Sequence, residues 1–393
     1  MTETQDMLTI ARDMTDLIAW EVFGRKADPD RFLAYSDRNF EMLLILARKH
    51  DLSHLVADVL LREHLIENEK IRGVFEKELY QAVLRYETKK QDREEIKAAF
   101  QKAEIPFVPL KGAVIASFYP EGWQRTSCDT DVLVHREDLA RAVCVLTDIG
   151  FHQKGDQNYH DVKMISPGNA ALELHFSIQE AQDHLDVVLK RAWEFTSCKD
   201  GYEYAFTNEF FLFHQFAHAS YHFVQGGCGV RPFLDLCLIE KSVSYDRDVL
   251  ENLLKQAGIL TFAREMEKLS GVWFAGEEPD ALTQRMEQFI VNGGVYGSMD
   301  QHIRIKRLET GGKGGYILSR IFLPRKSMEI GYPEVKKYPI LLPFAHVRRW
   351  CRLLRRDRRA HTFHEIRTNA AINESNNEYI ETLFASLGLN RQG

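Results

Sequence analysis

The sequence lacks the features that mark several large classes of protein. Its six cysteines are scattered without a Cys-x-x-Cys pair, which disfavours a disulfide framework or a zinc knuckle and fits free thiols in a reducing cytoplasm. No stretch reaches the roughly 20 apolar residues that a membrane-spanning helix needs. The amino-terminal segment MTETQDMLTIARDM has no basic part and no long apolar run, so we expect no signal peptide.

An excess of basic residues is also missing. The chain holds 51 Lys and Arg against 57 Asp and Glu, which gives a net charge of -6. This balance argues against a protein that coats nucleic acid through its overall charge, but it does not exclude local basic patches. Hydrophobic residues make up 45% and charged residues 27% of the sequence, which is ordinary for a globular protein with apolar material for two or three cores. We expect a cytoplasmic globular protein.

The pattern of apolar residues divides the chain into three regions. Residues 1–103 and 196–393 carry apolar positions at helical spacing, so we expect helical regions there. Residues 104–195 instead predict an alternation of strands and helices. The predicted order is strand, helix, strand, helix, strand and strand, at residues 105–110, 112–119, 129–135, 136–150, 159–166 and 170–178. The sequence therefore predicts an α+β protein in which a small mixed sheet with helices is flanked by helical regions.

Two local signals refine this prediction. Pro167 followed by Gly168 between the last two predicted strands favours a type II turn, and therefore a hairpin. Thr207 is a good cap for a helix that we expect to run through Val224. That helix is so rich in phenylalanine that we expect it to be buried against the sheet region.

Three carboxylates in the sheet region are candidates for a metal site. Asp129 and Asp131 lie on one face of a predicted strand, because alternate side chains of a strand share a face. Glu173 lies on the polar face of the last predicted strand and can meet them if the two strands are neighbours. Three close carboxylates repel each other unless cations lie between them, and two Mg²⁺ ions suit in-line displacement at phosphorus. The alternative is a surface Asp-x-Asp pair, which is common by chance.

A possible phosphate-binding loop precedes these strands. Lys111 and Gly112 lie at a predicted strand-to-helix junction, where glycine lets the backbone approach phosphate and a helix start adds N–H donors. The alternative is that Gly112 only forms a turn. Arg125, four residues before Asp129, either meets a phosphate or forms a surface salt bridge, and the sequence favours neither.

A histidine-rich helix follows. His214, His218 and His222 share one face of the predicted helix, and Asp235 lies on the next helix. One interpretation is that these residues, together with His175 beside Glu173, line a substrate cleft. The alternative is a metal site of the kind found in phosphohydrolases.

The segment RRWCRLLRRDRR at residues 348–359 contains seven arginines with Trp350 and two leucines at helical spacing. It could contact an anionic partner such as RNA or a membrane surface. The alternative is an ordinary amphipathic helix whose apolar face is docked and whose arginines are solvated or paired.

Three strings carry a family resemblance: LKGAVIASFYP, RTSCDTDVLVHREDLARA and LELHFS. Together they resemble the uncharacterised nucleotidyltransferase family within the polymerase-β-like nucleotidyltransferase superfamily. The likeness extends over most of the chain, including HQFAHASYHF, RPFLDL and the late segment RIFLPRKSMEIGYP. By this resemblance Gly112 matches the superfamily's glycine loop, Asp129 and Asp131 its metal pair, and Glu173 its third carboxylate. Ala113 departs from the usual second glycine or serine of that loop.

The resemblance implies a minimal polymerase-β-like core at residues 104–195 and a Mg²⁺-dependent reaction. An NMP would move from an NTP to an acceptor with release of pyrophosphate. The acceptor is open: a sugar, a small metabolite, a protein side chain or an RNA end. Two alternatives remain, namely an inactive NTP-binding regulatory module and a metal-dependent phosphohydrolase built on the three helical histidines.

Overall fold

The computed structural model describes residues 3–180, 182–295, 297–325, 328–329, 332, 334–353, 367–369 and 375–389. No helix among these residues is both long enough and apolar enough to cross a membrane. All six cysteines lie in these ranges, and none of them forms a disulfide.

Helices dominate the amino-terminal region and lead into the sheet. They are α1 Glu3–Phe23, α2 Pro29–Leu33, α3 Asp37–Lys49, α4 Ser53–Arg62 and α5 Glu69–Lys102. Side-chain caps fix several starts: Ser36 accepts a hydrogen bond from the Asn39 N–H, and Asn68 accepts one from the Lys70 N–H. The long helix α5 leaves this region and buries Ile96 and Phe100 against the sheet.

The strands that the structure describes form one mixed sheet of seven strands in the order β3-β4-β5-β2-β1-β7-β6. Short helices α6 Gly112–Ile115, α7 Leu139–Asp148 and α8 Asp183–Leu189 connect or follow its strands. The strands are β1 Phe107–Pro109, β2 Asp129–Val134, β3 His152–Gln153, β4 Asp161–Ile165, β5 Ala171–His175, β6 Thr196–Asp200 and β7 Glu203–Phe206. The predicted α+β class is confirmed.

The two faces of the sheet differ in what covers them. Val132 and Val134 of β2 and Leu172 and Leu174 of β5 pack with α5 and α7 in one apolar core. Side chains alternate along a strand, so the neighbouring positions of β2 and β5 point to the other face. Asp131 and Glu173 are therefore presented away from this core.

After β7 the described residues form helices and no further strand. They are α9 Asn208–Gln225, α10 Arg231–Ser242, α11 Arg247–Gln256, α12 Leu260–Phe274, α13 Ala281–Gly293, α14 Met299–Thr310, α15 Lys313–Ile321, α16 Glu334–Lys337, α17 Leu342–Leu353 and α18 Ser375–Ser386. Thr207 caps α9, as predicted, and Gly226 ends it at φ +117°. The phenylalanines of α9 are buried in the larger core, and Phe210, Phe213 and Phe216 are fully so.

Three local predictions differ from the structure. Strands β6 and β7 lie in the region expected to be helical, and β7 extends the sheet by parallel pairing of Glu203 with Phe107. Strand β3 was not predicted. The hairpin between β4 and β5 is present, but its turn is not type II, because Asn169 (φ +62°) rather than Gly168 has the left-handed conformation.

The basic segment is only partly within the described residues, because residues 354–359 lie outside them. In the described part, the Trp350 indole donates to the Ile321 carbonyl at 2.9 Å. Arg348 pairs with Glu334 at 3.0 Å, and Arg349 donates to the Arg320 carbonyl at 2.9 Å. These contacts are those of a docked amphipathic helix.

Candidate active site

Two parallel strands bring the central carboxylates together. Strands β2 and β5 are hydrogen-bonded neighbours, and Asp131 is the register partner of Glu173. The predicted adjacency of these strands is therefore confirmed. Asp131 is almost fully buried, with 4% of its surface exposed, so its charge requires partners within the protein.

Asp131 finds two such partners. The Lys111 ammonium donates to its Oδ1 at 3.2 Å, and the His175 Nε2 lies 2.9 Å from the same oxygen. Burial alone would raise the pKa of Asp131, but Lys111 and His175 outweigh it and hold the pKa well below its usual range. Burial likewise opposes the charge of Lys111, but Asp131 raises the pKa of this lysine. Both groups are charged at neutral pH.

Glu173 completes a compact group of possible metal ligands. Its Oε2 lies 3.6 Å from His175 Nε2, and its Oε1 accepts a hydrogen bond from Lys163 at 2.6 Å. One ligand atom from each of Asp131, Glu173 and His175 lies within 4.8 Å of the others. Among the described residues, Asp131 and Glu173 are joined in this group by His175. The sequence predicts His175 only as a residue that lines the cleft.

Asp129 lies at the edge of this group rather than in it. Burial, followed by the charges of Asp131 and Glu173, raises its pKa above the usual value. Lys111 and Lys89 act in the opposite direction. A carboxylate whose pKa is raised by neighbouring carboxylates is placed where an added cation would be strongly stabilised.

The loop between β1 and α6 presents Lys111 with an unusual backbone. Lys111 has φ +44° and ψ -121°, a conformation that residues with a side chain rarely adopt. The Leu110 N–H donates to the Asp131 carbonyl at 3.0 Å, and the Lys111 side chain pairs with the Asp131 carboxylate. Such strain clusters at functional sites. In this loop it directs the ammonium of Lys111 toward β2.

Gly112 follows in this loop and packs closely on the segment before β2. A Cβ at this position would lie 3.1 Å from Ser127 Cβ and 3.6 Å from Arg125 Nη1. Ser127 is itself fixed, because Lys89 of α5 donates to its carbonyl at 2.7 Å and to its hydroxyl at 3.2 Å. A side chain at this position would therefore force Ser127 or the loop to shift by a few tenths of an ångström.

Arg125 forms a buried ion pair instead of a surface salt bridge. Its Nε lies 2.7 Å from Asp235 Oδ1 and 3.0 Å from Oδ2, and the Tyr119 hydroxyl donates to the same carboxylate at 2.7 Å. Burial opposes the charge of Arg125, but Asp235 more than compensates and raises its pKa. Asp235 thus orients the arginine.

A cavity of about 340 Å³ joins these parts. Every candidate residue predicted from the sequence lines it: Lys111, Gly112, Arg125, Asp129, Asp131, Glu173, His175, His214, His218, His222 and Asp235. The carboxylates and Lys111 come from the sheet side, and the three helical histidines come from α9. The cavity is therefore the candidate active site.

Residues 36–275 match the family described as uncharacterised nucleotidyltransferase. The chain belongs to this family. The family predicted from the motifs is confirmed, and the protein is a transferase by its membership. Among solved structures, the chain is similar to the solution structure of the antibiotic-resistance factor ANT(2'')-Ia, with a TM-score of 0.27 and 12% identity over 49% of this chain and 91% of that one. No curated protein matches the chain.

The three helical histidines of this nucleotidyltransferase do not form a metal group within the part of the chain that the structure describes. The His218 Nδ1 lies 2.9 Å from Glu180 Oε1, and the Nε2 atoms of His218 and His222 are 3.2 Å apart. Burial lowers the pKa of His214 to about 3 and that of His222 to about 3. These imidazoles are neutral at neutral pH.

Several residues of this nucleotidyltransferase site were not predicted from the sequence. Lys163 could have been found, since the predicted hairpin places it opposite Glu173, as the structure shows. Glu180 lies beyond the end of β5, where strand alternation no longer applies. Lys89 is one of many charged residues on α5, and no local pattern distinguishes it. Only the tertiary structure brings it to Ser127.

The residues present fit a divalent cation. Asp129, Asp131 and Glu173 offer carboxylate oxygens, which Mg²⁺ prefers, and the nitrogen of His175 would also suit Mn²⁺. The two lysines on Asp131 and Glu173 show that this cluster already attracts positive charge. These carboxylates, with His175 beside them, are the residues that would hold the metal.

Proposed function

We propose that this nucleotidyltransferase moves an NMP from an NTP to an acceptor, releases pyrophosphate and depends on Mg²⁺. The observation that carries the proposal is the pairing of Asp131 with Glu173 across adjacent parallel strands, beside His175 and in one cavity with Lys111 and Gly112. Buried carboxylates next to a lysine-glycine loop supply both requirements of the reaction, a place for metal and a place for phosphate.

The residue roles follow from position and charge. Asp129, Asp131 and Glu173 would hold two Mg²⁺ ions, which when bound would polarise the α-phosphate and stabilise the leaving pyrophosphate. Lys111 is charged and adjoins these carboxylates, so it suits the β- and γ-phosphates. Gly112 lets the backbone of the same loop approach them.

Arg125 provides further positive charge on the cavity wall. Its Nε is bound to Asp235. This ion pair fixes the plane of the guanidinium and therefore the direction of its other N–H groups. We propose that Arg125 contacts a phosphate oxygen of the NTP. The acceptor can be a sugar, a metabolite, a protein side chain or an RNA end, and we propose a cytoplasmic location.

A pyrophosphate-release assay with Mg²⁺ and each of the four NTPs tests this function. The comparison is between the wild type, Asp131→Asn and the matched control Asp148→Asn, an exposed position on α7. We expect release by the wild type and the control, and a loss of on the order of 10³-fold or more in Asp131→Asn. Binding of a non-hydrolysable NTP without any pyrophosphate release would instead indicate an inactive binding module.

A further inference from the structure

A carboxylate–imidazole pair lies in the cavity apart from the metal-ligand cluster. Glu180 Oε1 and His218 Nδ1 are 2.9 Å apart, with 17% and 27% of their side chains exposed. The His218 Nε2 is 3.2 Å from the Nε2 of His222. The Glu180 N–H donates to Asp186 at the start of α8 at 2.9 Å, which fixes the position of this glutamate.

These contacts determine which ring nitrogens carry protons. An ionised carboxylate only accepts hydrogen bonds, so His218 donates from Nδ1 to Glu180. A neutral His218 then has an unprotonated Nε2 that accepts from the Nε2–H of His222. In this pair the protonated Nδ1 of His218 faces Glu180, and the unprotonated, basic Nε2 lies on the far side of the ring. This is the arrangement of a general base that is oriented by a carboxylate.

We propose that His218, oriented by Glu180, is the general base that takes the proton of the acceptor, and that the acceptor nucleophile is a hydroxyl group. This inference rests on the proposed nucleotidyl transfer. His218 would be a catalytic residue, and Glu180 a positioning residue that acts through it. His222 would hold the free nitrogen of His218 until the acceptor hydroxyl replaces it.

The surroundings of His218 suit this role. Burial lowers its pKa well below the usual value, so the ring is neutral at neutral pH and its Nε2 has a free lone pair. Once protonated, the imidazolium is stabilised by the adjacent Glu180 carboxylate. The charged and titratable groups that face it from the sheet side and from α9 are Lys111, Arg125, Asp131, His175 and His214.

The chemical step balances without another reactant. The acceptor O–H bond breaks and its proton moves to His218 Nε2, while the oxygen forms a bond to the α-phosphorus. The bond from the α-phosphorus to the bridging oxygen breaks, and pyrophosphate leaves with the electron pair. A phosphate acceptor is already anionic and would not require such a base, which is why the pair indicates a hydroxyl.

Transfer assays with two model acceptors test the inference. α-³²P-labelled ATP and Mg²⁺ are incubated with glycerol as the hydroxyl acceptor or with inorganic phosphate as the anionic one. The variants are His218→Ala, Glu180→Ala and Glu180→Asp, with the exposed His152→Ala and Glu194→Gln as controls. We expect His218→Ala to lower kcat for glycerol on the order of 10²-fold and to change the phosphate reaction little.

A pH profile separates positioning from structural damage. We expect kcat of the wild type with glycerol to fall at acidic pH, as His218 becomes protonated. Loss of the Glu180 charge in Glu180→Ala should lower the pKa of His218, move this limb to lower pH and lower the plateau, whereas Glu180→Asp should restore both in part. Equal losses with glycerol and phosphate, or unchanged profiles, would overturn the inference.

An NMR experiment tests the protonation of His218 without requiring turnover. Long-range ¹H–¹⁵N spectra of the wild type should show His218 protonated at Nδ1 and unprotonated at Nε2 near neutral pH. The opposite tautomer would overturn the inference. A wild type that shows this tautomer yet releases no pyrophosphate with glycerol, phosphate or water would contradict the proposed nucleotidyl transfer itself.

Discussion

Asp131 and Glu173 are register partners on adjacent parallel strands, and each carboxylate is bound by a lysine. Lys111 reaches Asp131 at 3.2 Å, and Lys163 reaches Glu173 at 2.6 Å. The two ammonium groups therefore neutralise the carboxylates that we propose as metal ligands. Any cation that binds there has to compete with them.

We expect Lys163→Ala to tighten divalent cation binding several-fold. Lys163 occupies an oxygen of Glu173 and would repel a nearby cation, and its removal relieves both effects. Calorimetric titration with Mn²⁺ measures the change, with the exposed Lys154→Ala as the control. Weaker binding in Lys163→Ala, with the control unchanged, would contradict a competition between Lys163 and the cation.

Asp129→Asn and Asp131→Asn should differ in how they affect metal binding and turnover. Asp131 lies within the compact ligand group, whereas Asp129 lies at its edge. We expect Asp131→Asn to abolish binding of the first Mn²⁺ ion, and Asp129→Asn to keep one ion bound but lose turnover on the order of 10³-fold. Paramagnetic resonance counts the bound Mn²⁺. Identical losses of metal in both variants would contradict this division.

Gly112→Ala should raise the KM for NTP several-fold. The added Cβ would lie 3.1 Å from Ser127 Cβ, so the loop or the 127 segment has to shift, at a stability cost of about 1 kcal/mol. Gly73→Ala is the matched control, since nothing lies within 4 Å of a Cβ there. Adding Ser127→Gly to Gly112→Ala removes the contact and should restore part of the affinity. Failure of this rescue would argue against the packing explanation.

Stability should fall as the pH drops from 7.5 to 5. Burial lowers the pKa of His214 to about 3, so the unfolded chain, with a pKa near the usual 6.5, binds the proton more readily. The stability from this neutral histidine is present above about pH 6.5 and is lost toward lower pH, by up to about 1.4 kcal/mol per pH unit.

His214→Gln should therefore show a shallower loss of stability over the same range. Urea unfolding at both pH values gives the slope, and the exposed His152→Gln serves as the control. An unchanged slope in His214→Gln would mean that His214 is accessible to protons in the folded protein.

The predictable parts of the site were those that depend on local periodicity. Alternation along β2 and β5 placed Asp131 and Glu173 on one face, and helical spacing placed His214, His218 and His222 on one side of α9. The predicted type of the turn at Gly168 was wrong, because Asn169 adopts the left-handed conformation instead of Gly168. Asparagine tolerates this conformation.

The parts that could not be predicted depend on tertiary contact. Strand β6 could not be predicted, because most of its residues are exposed and its sequence TSCKD shows no apolar alternation. Only its pairing with β7 makes this segment a strand. Glu180 reaches His218 across 38 positions of sequence. No local pattern specifies such a contact, because it depends on how α9 packs on the sheet.

The position of the label in the product tests the proposed nucleotidyl transfer most directly. Wild-type protein, Mg²⁺ and each NTP labelled at either the α- or the γ-phosphate are incubated with a desalted set of sugars and other alcohols, and the products are separated. The account predicts that the α label appears on an acceptor while the γ label leaves in pyrophosphate, and that Asp131→Asn stops both. Release of the γ label as inorganic phosphate, or transfer that survives Asp131→Asn, would contradict it.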